Sequence, residues 1–346
     1  MNDLADDGID VGRLSAYLRD RVDGFDAIQS LRRLSGGQSN PTYRIDVADR
    51  SFALRTKPAP LALLLPSAHQ IEREYRVLSA LADTDVPVPK VYHLCTEEDL
   101  IGRAFYLMDF VEGRVFADPR LSAVSGHERA AVFDDMNRVM ATLHAVDWQA
   151  LGLEDFGKPG AYLTRQIARW SRQYRSSETE RIESMDRLID WLTQATPPAD
   201  LTTLVHGDFR LDNLVFEVDR PRIAAVLDWE LSTLGSPLAD FAYHCCVWHF
   251  PVGLYRGLFG VSIPAGVPSE VDYRRVYAAR SGRNTDDDWD YYIAYNFFRM
   301  AAIVQGIRKR ALEGTAAAAD ADEFGRGARR LADLGWMRVE RLLAAD

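Results

Sequence analysis

The amino-acid sequence predicts an α+β fold of two lobes, a small one built on an antiparallel sheet and a larger, mostly helical one. Strand-like runs crowd the stretch before Glu112-Gly113-Arg114, and beyond it apolar residues recur at helical spacing. A length of 346 residues suits about two such units. Two polar runs, at 206–213 and 228–230, interrupt the helical half beside apolar, strand-like segments. The expected boundaries are 1–110 for the first lobe and 111–346 for the second.

The elements follow in order. Residues up to about 26 read as a polar lead-in helix with Val11, Leu14, Tyr17 and Leu18 on one face. Residues 34–41 form a small-residue turn between strand-like runs. Residues 43–47 and 52–55 make a hairpin around Asp49-Arg50. Three prolines mark 58–66 as a loop. Ile71, Tyr75, Leu78 and Leu81 give an amphipathic helix over 68–81 that carries Glu72 and Glu74. Residues 91–95 and 104–110 supply further strands, for a five-stranded sheet with one helix. The second lobe is expected to hold helices near 128–145, 163–192, 238–248, 290–312 and 324–343.

Composition is that of an ordinary globular chain, 47% hydrophobic and 27% charged. A net charge of -10 speaks against a general nucleic-acid binder, which needs clustered Lys and Arg; it permits a cationic substrate. The acidic first ten residues lack the basic and apolar regions of a signal peptide. The apolar patch at 61–65 is far too short to span a bilayer, so no membrane partner is expected. The three cysteines form no CxxC pair, and a reducing cytoplasm is the expected home. Nothing in the pattern specifies an oligomeric state.

The chemistry concentrates in His206-Gly207-Asp208-Phe209-Arg210-Leu211-Asp212-Asn213 and in Leu227-Asp228-Trp229-Glu230. Moving the terminal phosphoryl group of ATP to a hydroxyl needs a carboxylate to hold the acceptor and receive its proton. It also needs oxygen ligands for Mg²⁺ and a cation against the developing charge. Asp208 suits the first task, Asn213 and Asp228 the second, and Arg210 the third. His206 fits better as a prop for the loop backbone. The rival reading of the first run is a polar surface loop between two strands.

H-G-D-F-R-L-D-N resembles the catalytic loop of the aminoglycoside phosphotransferase/choline kinase superfamily, which shares the protein-kinase-like fold, and L-D-W-E resembles its second metal-binding motif. The resemblance implies ATP and Mg²⁺ as cofactors and a small-molecule hydroxyl as acceptor. It places Arg55 at the strand position that normally holds the phosphate lysine, and Glu74 as that residue's partner. It makes 105–113 the hinge that holds adenine by backbone groups of residues such as Asp109 and Val111, and puts Ser39 in the phosphate-covering loop. G-G-Q-S-N-P-T-Y, L-P-S-A-H-Q-I-E-R-E-Y and N-F-F-R-M-A-A-I-V-Q-G-I resemble one branch, which includes the kinase-like domains fused to some acyl-CoA dehydrogenases. That branch points towards hydroxylated acyl or acyl-CoA acceptors.

Two departures stand out. Arg55 replaces lysine, with Lys57 two residues on, and Ser236 stands where the branch often has Asp. Asp240 resembles the buried carboxylate that braces the catalytic loop. Tyr292, Asn296 and Arg299 share a helix face and are candidate substrate contacts, or else form an internal salt bridge to the catalytic-loop region. His244-Cys245-Cys246-Val247-Trp248-His249 invites a metal reading, but two buried thiols and their neighbours serve equally well as core. The alternative to a kinase is a catalytically inactive nucleotide-binding module serving a partner protein, and Arg55 is its one foothold.

Overall fold

The computed structural model describes residues 8–34, 40–58, 71–198, 201–252, 257–316 and 321–345. Contacts divide the chain into two units, one of Met1–Arg114, Leu151–Leu153 and Asn213–Ser232, the other of Val115–Ala150, Glu154–Asp212 and Thr233–Asp346. Ser39, with Gly36 and Gly37, lies outside the described residues, as do 59–66 of the proline loop and 68–70 of the expected helix.

In the first unit, β1 (Ser30–Arg33), β2 (Thr42–Asp46), β3 (Ser51–Thr56), β4 (Val91–Cys95) and β5 (Phe105–Asp109) form one sheet in the order β1-β2-β3-β5-β4, each neighbouring pair antiparallel. The expected hairpin is β2–β3, and Val47 N–H closes its turn on the Arg50 carbonyl. The lead-in helix α1 (Val11–Arg19) is shorter than expected. Its Leu14 and Leu18 bury against Tyr43, Ile45, Phe52 and Leu54 from β2 and β3. Strand periodicity then sends Ala53 and Arg55 to the opposite face. There α2 (Ile71–Leu81) buries Ile71, Val77, Leu78 and Leu81, and with them Glu74, which is 1% exposed.

β6 (Arg114–Val115) follows the hinge, and Gly113 before it admits no side chain: a Cβ there would sit 2.2 Å from the Phe216 carbonyl oxygen. Later in the chain β8 (Leu214–Phe216) and β9 (Ile223–Val226) pair antiparallel, Leu214 opposite Val226. Val226 N–H donates to the Pro87 carbonyl. This segment therefore groups with the first unit, whereas a division at 110 would have put it in the second.

The second unit is helical. α3 (Gly126–His144) starts on a Ser125 cap. The single helix expected over 163–192 is two, α4 (Tyr162–Ser177) and α5 (Glu183–Gln194). The break has its own bonds: Gln305 Nε2 donates to Ser177 O and Thr179 Oγ1, and Arg329 pairs with Glu180. Two short strands, β7 (Thr203–Val205) and β10 (Thr233–Gly235), pair antiparallel. β10 leads into α6 (Pro237–Cys245), followed by a 3₁₀ turn at Cys246–Trp248. α7 (Glu270–Ser281) was not foreseen, since only Tyr273 and Tyr277 of it are buried and so narrow a stripe leaves little periodic signal. α8 (Trp289–Leu312) is buried on all sides over most of its length and packs on α4, α5, α6 and α10. The last expected helix is also two, α9 (Ala321–Gly325) and α10 (Ala328–Ala345). No helix among the described residues is long and apolar enough to cross a membrane.

Candidate active site

In the second unit, β7 ends at Val205 and the chain turns through Gly207, whose φ of +83° suits glycine. The turn aims the His206 and Gly207 N–H groups at the Asp240 carboxylate, each at 2.9 Å. Asp240 stands in the first turn of α6. Ser236, one of the two departures, caps that helix by accepting the Ala239 N–H at 3.3 Å. His144 Nε2 lies 3.3 Å from Asp240. Burial would raise the Asp240 pKa; the His144 imidazole and the His206 backbone outweigh it, and the carboxyl sits below its ordinary value. His206 is fully buried and its Nδ1 accepts the Asp208 N–H at 3.2 Å, so the imidazole props the loop.

Asp208 is held by its side chain as well. The Tyr243 hydroxyl donates to Asp208 Oδ1 at 2.5 Å, and Arg210 Nε lies 2.9 Å from the same oxygen. Arg210 Nη1 is 3.5 Å from Asp212. Tyr292, Asn296 and Arg299 are all buried. Asn296 Nδ2 donates to the Ala239 and Tyr292 carbonyls, and Arg299 Nη2 donates to the Gly207 carbonyl at 2.8 Å. Of the two roles weighed for them, these contacts favour internal support, through carbonyl oxygens rather than a salt bridge.

His244 brackets the loop from below, its Nδ1 3.2 Å from the Phe209 carbonyl and its Nε2 2.8 Å from the Tyr273 hydroxyl. Burial lowers its pKa to about 4. Between pH ~6.5 and about 4 the unfolded chain binds a proton at this ring that the folded chain excludes, so stability falls as pH falls through that window. The expected loss is on the order of 3 kcal/mol. Thermal unfolding of His244→Gln should therefore vary less with pH across that range than unfolding of the wild type; an equal slope would contradict the assignment. The neighbouring cysteines are core. Cys245 and Cys246 are buried with their thiol pKa values raised by burial, and His249 binds Glu270 at 2.8 Å.

In the first unit, β3 and β5 place Arg55 directly opposite Tyr106. Both reach Glu74 of α2: Arg55 Nε donates to Oε2 at 2.6 Å and Nη2 to Oε1 at 3.0 Å, and the Tyr106 hydroxyl donates to Oε2 at 2.9 Å. Asn40 Nδ2 adds a bond to Oε1 at 3.1 Å. The guanidinium extends further, Nη2 to Asp228 Oδ1 at 2.6 Å with Glu230 at 3.9 Å. Burial would lower the Arg55 pKa, and Glu74, Tyr106 and Asp228 together raise it above its ordinary value. Lys57 pairs instead with Glu72.

β8 and β9 bring Asn213 and Asp228 close, since Leu227 N–H donates to the Asn213 carbonyl at 2.8 Å. Asp228 has a left-handed backbone, φ 67°, a strained conformation for a non-glycine residue and one that concentrates at functional sites. Glu74, Asp228 and Glu230 each offer an oxygen within 4.8 Å of the others, and are the one group of metal-binding type among the described residues. At the hinge, the Asp109 N–H is engaged by the Lys90 carbonyl and its carboxylate by the Tyr92 hydroxyl. Val111 N–H makes no hydrogen bond to a described residue.

Sequence reasoning missed Tyr243, Tyr106 and Asn40. Tyr243 had a signal, because it lies three residues beyond Asp240 on one helix face. Tyr106 had one only in the strand register.

An antiparallel five-stranded unit bearing an Arg–Glu pair, and a helical unit bearing a braced H-G-D loop, define the protein-kinase-like fold of small-molecule phosphotransferases. The sequence model of the phosphotransferase enzyme family matches residues 30–272, and the chain belongs to that family. A crystal structure from Ralstonia eutropha, provisionally described as an aminoglycoside phosphotransferase, is 50% identical with a TM-score of 0.88, covering 96% of this chain and 98% of that one. An aminoglycoside phosphotransferase in ternary complex with AMP-PNP and hygromycin B shares the fold, with a TM-score of 0.61 at 16% identity over 94% of this chain and 98% of its own. Among curated relatives, mouse acyl-CoA dehydrogenase family member 10 is 46% identical over 88% of this chain and 29% of its own length. The acyl-CoA dehydrogenase IBR3 of Arabidopsis thaliana is 40% identical over 95% of this chain and 43% of its own. The chain thus spans less than half the length of these curated relatives.

Proposed function

We propose that the protein transfers the terminal phosphoryl group of ATP to a hydroxyl of a small molecule. The observation that carries this reading is the Asp208 carboxylate, held by the Tyr243 hydroxyl and an ion pair with Arg210 on a loop whose backbone is itself pinned to Asp240. Asp208 orients the acceptor hydroxyl and takes its proton late in a loose transition state. Arg210, already beside that carboxylate, offsets charge on the moving phosphoryl group. Arg55, fixed on Glu74, meets the phosphates of the nucleotide. Val111 supports the base from the hinge, and Ser39 is assigned to the phosphate-covering loop from its sequence. Asn213 and Asp228 supply hard oxygens of the kind Mg²⁺ prefers, with Glu230 nearby. Mg²⁺, when bound, would neutralise and orient the phosphates.

For the acceptor, we favour a hydroxylated acyl or acyl-CoA compound. The curated relatives are named as acyl-CoA dehydrogenases, and the match covers only part of each. Helix α4, which packs on α8, carries no carboxylate; of its four arginines Arg175 is paired with Asp186 and Arg165 donates to the Gly160 and Lys158 carbonyls, which leaves Arg169 and Arg172 as its cationic groups. That surface suits an anionic acceptor better than a polycationic antibiotic. A coupled ADP-release screen over hydroxyacyl-CoAs, sugars, amino alcohols and aminoglycosides tests this, with mass spectrometry of the acceptor for one added phosphate. Turnover is expected with hydroxyacyl compounds. Turnover confined to aminoglycosides would overturn the acceptor class and leave phosphotransfer standing. ATP binding with no turnover on any acceptor would favour the nucleotide-binding module, for which Arg55 in place of lysine is the supporting observation.

A further inference from the structure

Tyr243 lies in α6, 6% exposed as a residue, with its hydroxyl 2.5 Å from Asp208 Oδ1. Burial, and next the Asp208 charge, push the phenol pKa well above its ordinary value, so the group stays a donor at any working pH. The Arg299 guanidinium lies 5.0 Å from the centre of the same ring, and its Nη2 also holds the Gly207 carbonyl. One buried arginine thus steadies both the main chain just before Asp208 and the ring that binds its side chain. The other cation at that carboxylate is a softer anchor. Arg210 is 42% exposed along its side chain and is shared with Asp212.

A carboxylate turns easily about its last torsion, since such sp³–sp² rotations have broad minima. A group that must meet a hydroxyl within hydrogen-bond reach needs that rotation stopped by a rigid neighbour. We infer that the Tyr243 hydroxyl, backed by Arg299, is the positioning group that fixes the Asp208 carboxylate for its work on the acceptor. The inference rests on the proposed role of Asp208. It adds Tyr243 as a residue that acts through Asp208 without touching the reacting atoms.

Tyr243→Phe keeps the ring, the packing and the contact with Arg299, and removes only the hydroxyl. It is expected to lower kcat about tenfold or more, with KM for ATP unchanged within about twofold. In the Asp208→Asn background the same change should lower the residual rate by less than about twofold. Loss of ATP affinity in step with kcat, or full additivity of the two changes, would mean a merely structural residue and overturn the inference.

A second arm needs no turnover. 3-Fluorotyrosine placed at position 243 of the full chain should show a ¹⁹F resonance that moves on Asp208→Asn and stays put on the remote change Asp134→Asn. An unmoved resonance in Asp208→Asn would overturn the inference even if the enzyme is active. If no acceptor is ever found, the phosphotransfer reading fails, and the ¹⁹F result alone still decides whether Tyr243 holds Asp208.

Discussion

Asp208→Asn is expected to reduce kcat by about 10³-fold, within the span a positioned proton acceptor supplies, while ATP affinity stays within about twofold. Asn has the shape of Asp, and its amide oxygen can still accept the Tyr243 hydroxyl that sits 2.5 Å from Oδ1. It cannot take a proton from the acceptor, and it forfeits the ionic part of the contact with Arg210. The loop should hold its course, because His206 and Gly207 are pinned by Asp240 rather than by Asp208. Steady-state kinetics beside calorimetric titration with ATP would separate the two effects. Retained turnover would remove Asp208 from its role, and lost ATP affinity would point to a collapsed loop.

Arg55→Met is expected to destabilise the first unit by about 3–5 kcal/mol, the usual consequence of leaving one charge of a buried pair alone. Glu74 is 1% exposed, and its remaining donors, Asn40 and Tyr106, are neutral. Asp228 would lose its ionic partner at 2.6 Å as well. Arg55→Lys is the milder and more informative change. A lysine restores the charge as a single point, whereas the guanidinium makes two bonds to Glu74 and a third to Asp228. It should fold, lose part of the stability, and retain ATP binding. Denaturant midpoints for wild type, Arg55→Met, Arg55→Lys, Glu74→Met and Arg55→Met/Glu74→Met would test this. The double change should recover part of the loss, since it removes both charges; a double variant as unstable as the sum of the singles would contradict the account.

The fold was legible because its strongest signals are local. Alternation marked the strands and helical spacing marked α2, but spacing alone read Glu74 as a solvated residue, and only the resemblance paired it with Arg55; the structure buries it. Helix breaks were not legible. The interruption between Ser177 and Glu183 is held by Gln305 and Arg329, far away in sequence, and no pattern within 163–192 announces it. The candidate site divides in the same way. Asp208 and Arg210, close in the chain, could be read together; Glu230 carried no signal of its own, and the brace from Asp240 came only through the resemblance. Partners set by register or by packing between helices could not. Tyr106 enters only through its place opposite Arg55, and Tyr243, although its spacing from Asp240 put both on one helix face, shows its partner Asp208 only in the structure. Arg299 shows the limit most clearly. A buried arginine signals a partner, and only the structure identifies that partner as the Gly207 carbonyl.

Acceptor-dependent release of ADP by the wild-type chain, measured with ATP and Mg²⁺ beside direct ATP binding, tests the central claim most directly. The account predicts ADP formation that rises with a hydroxylated acceptor, saturates, and disappears in Asp208→Asn at unchanged ATP affinity. Tight ATP binding with ADP release no greater than the acceptor-free background, for every hydroxylated compound offered, would contradict it.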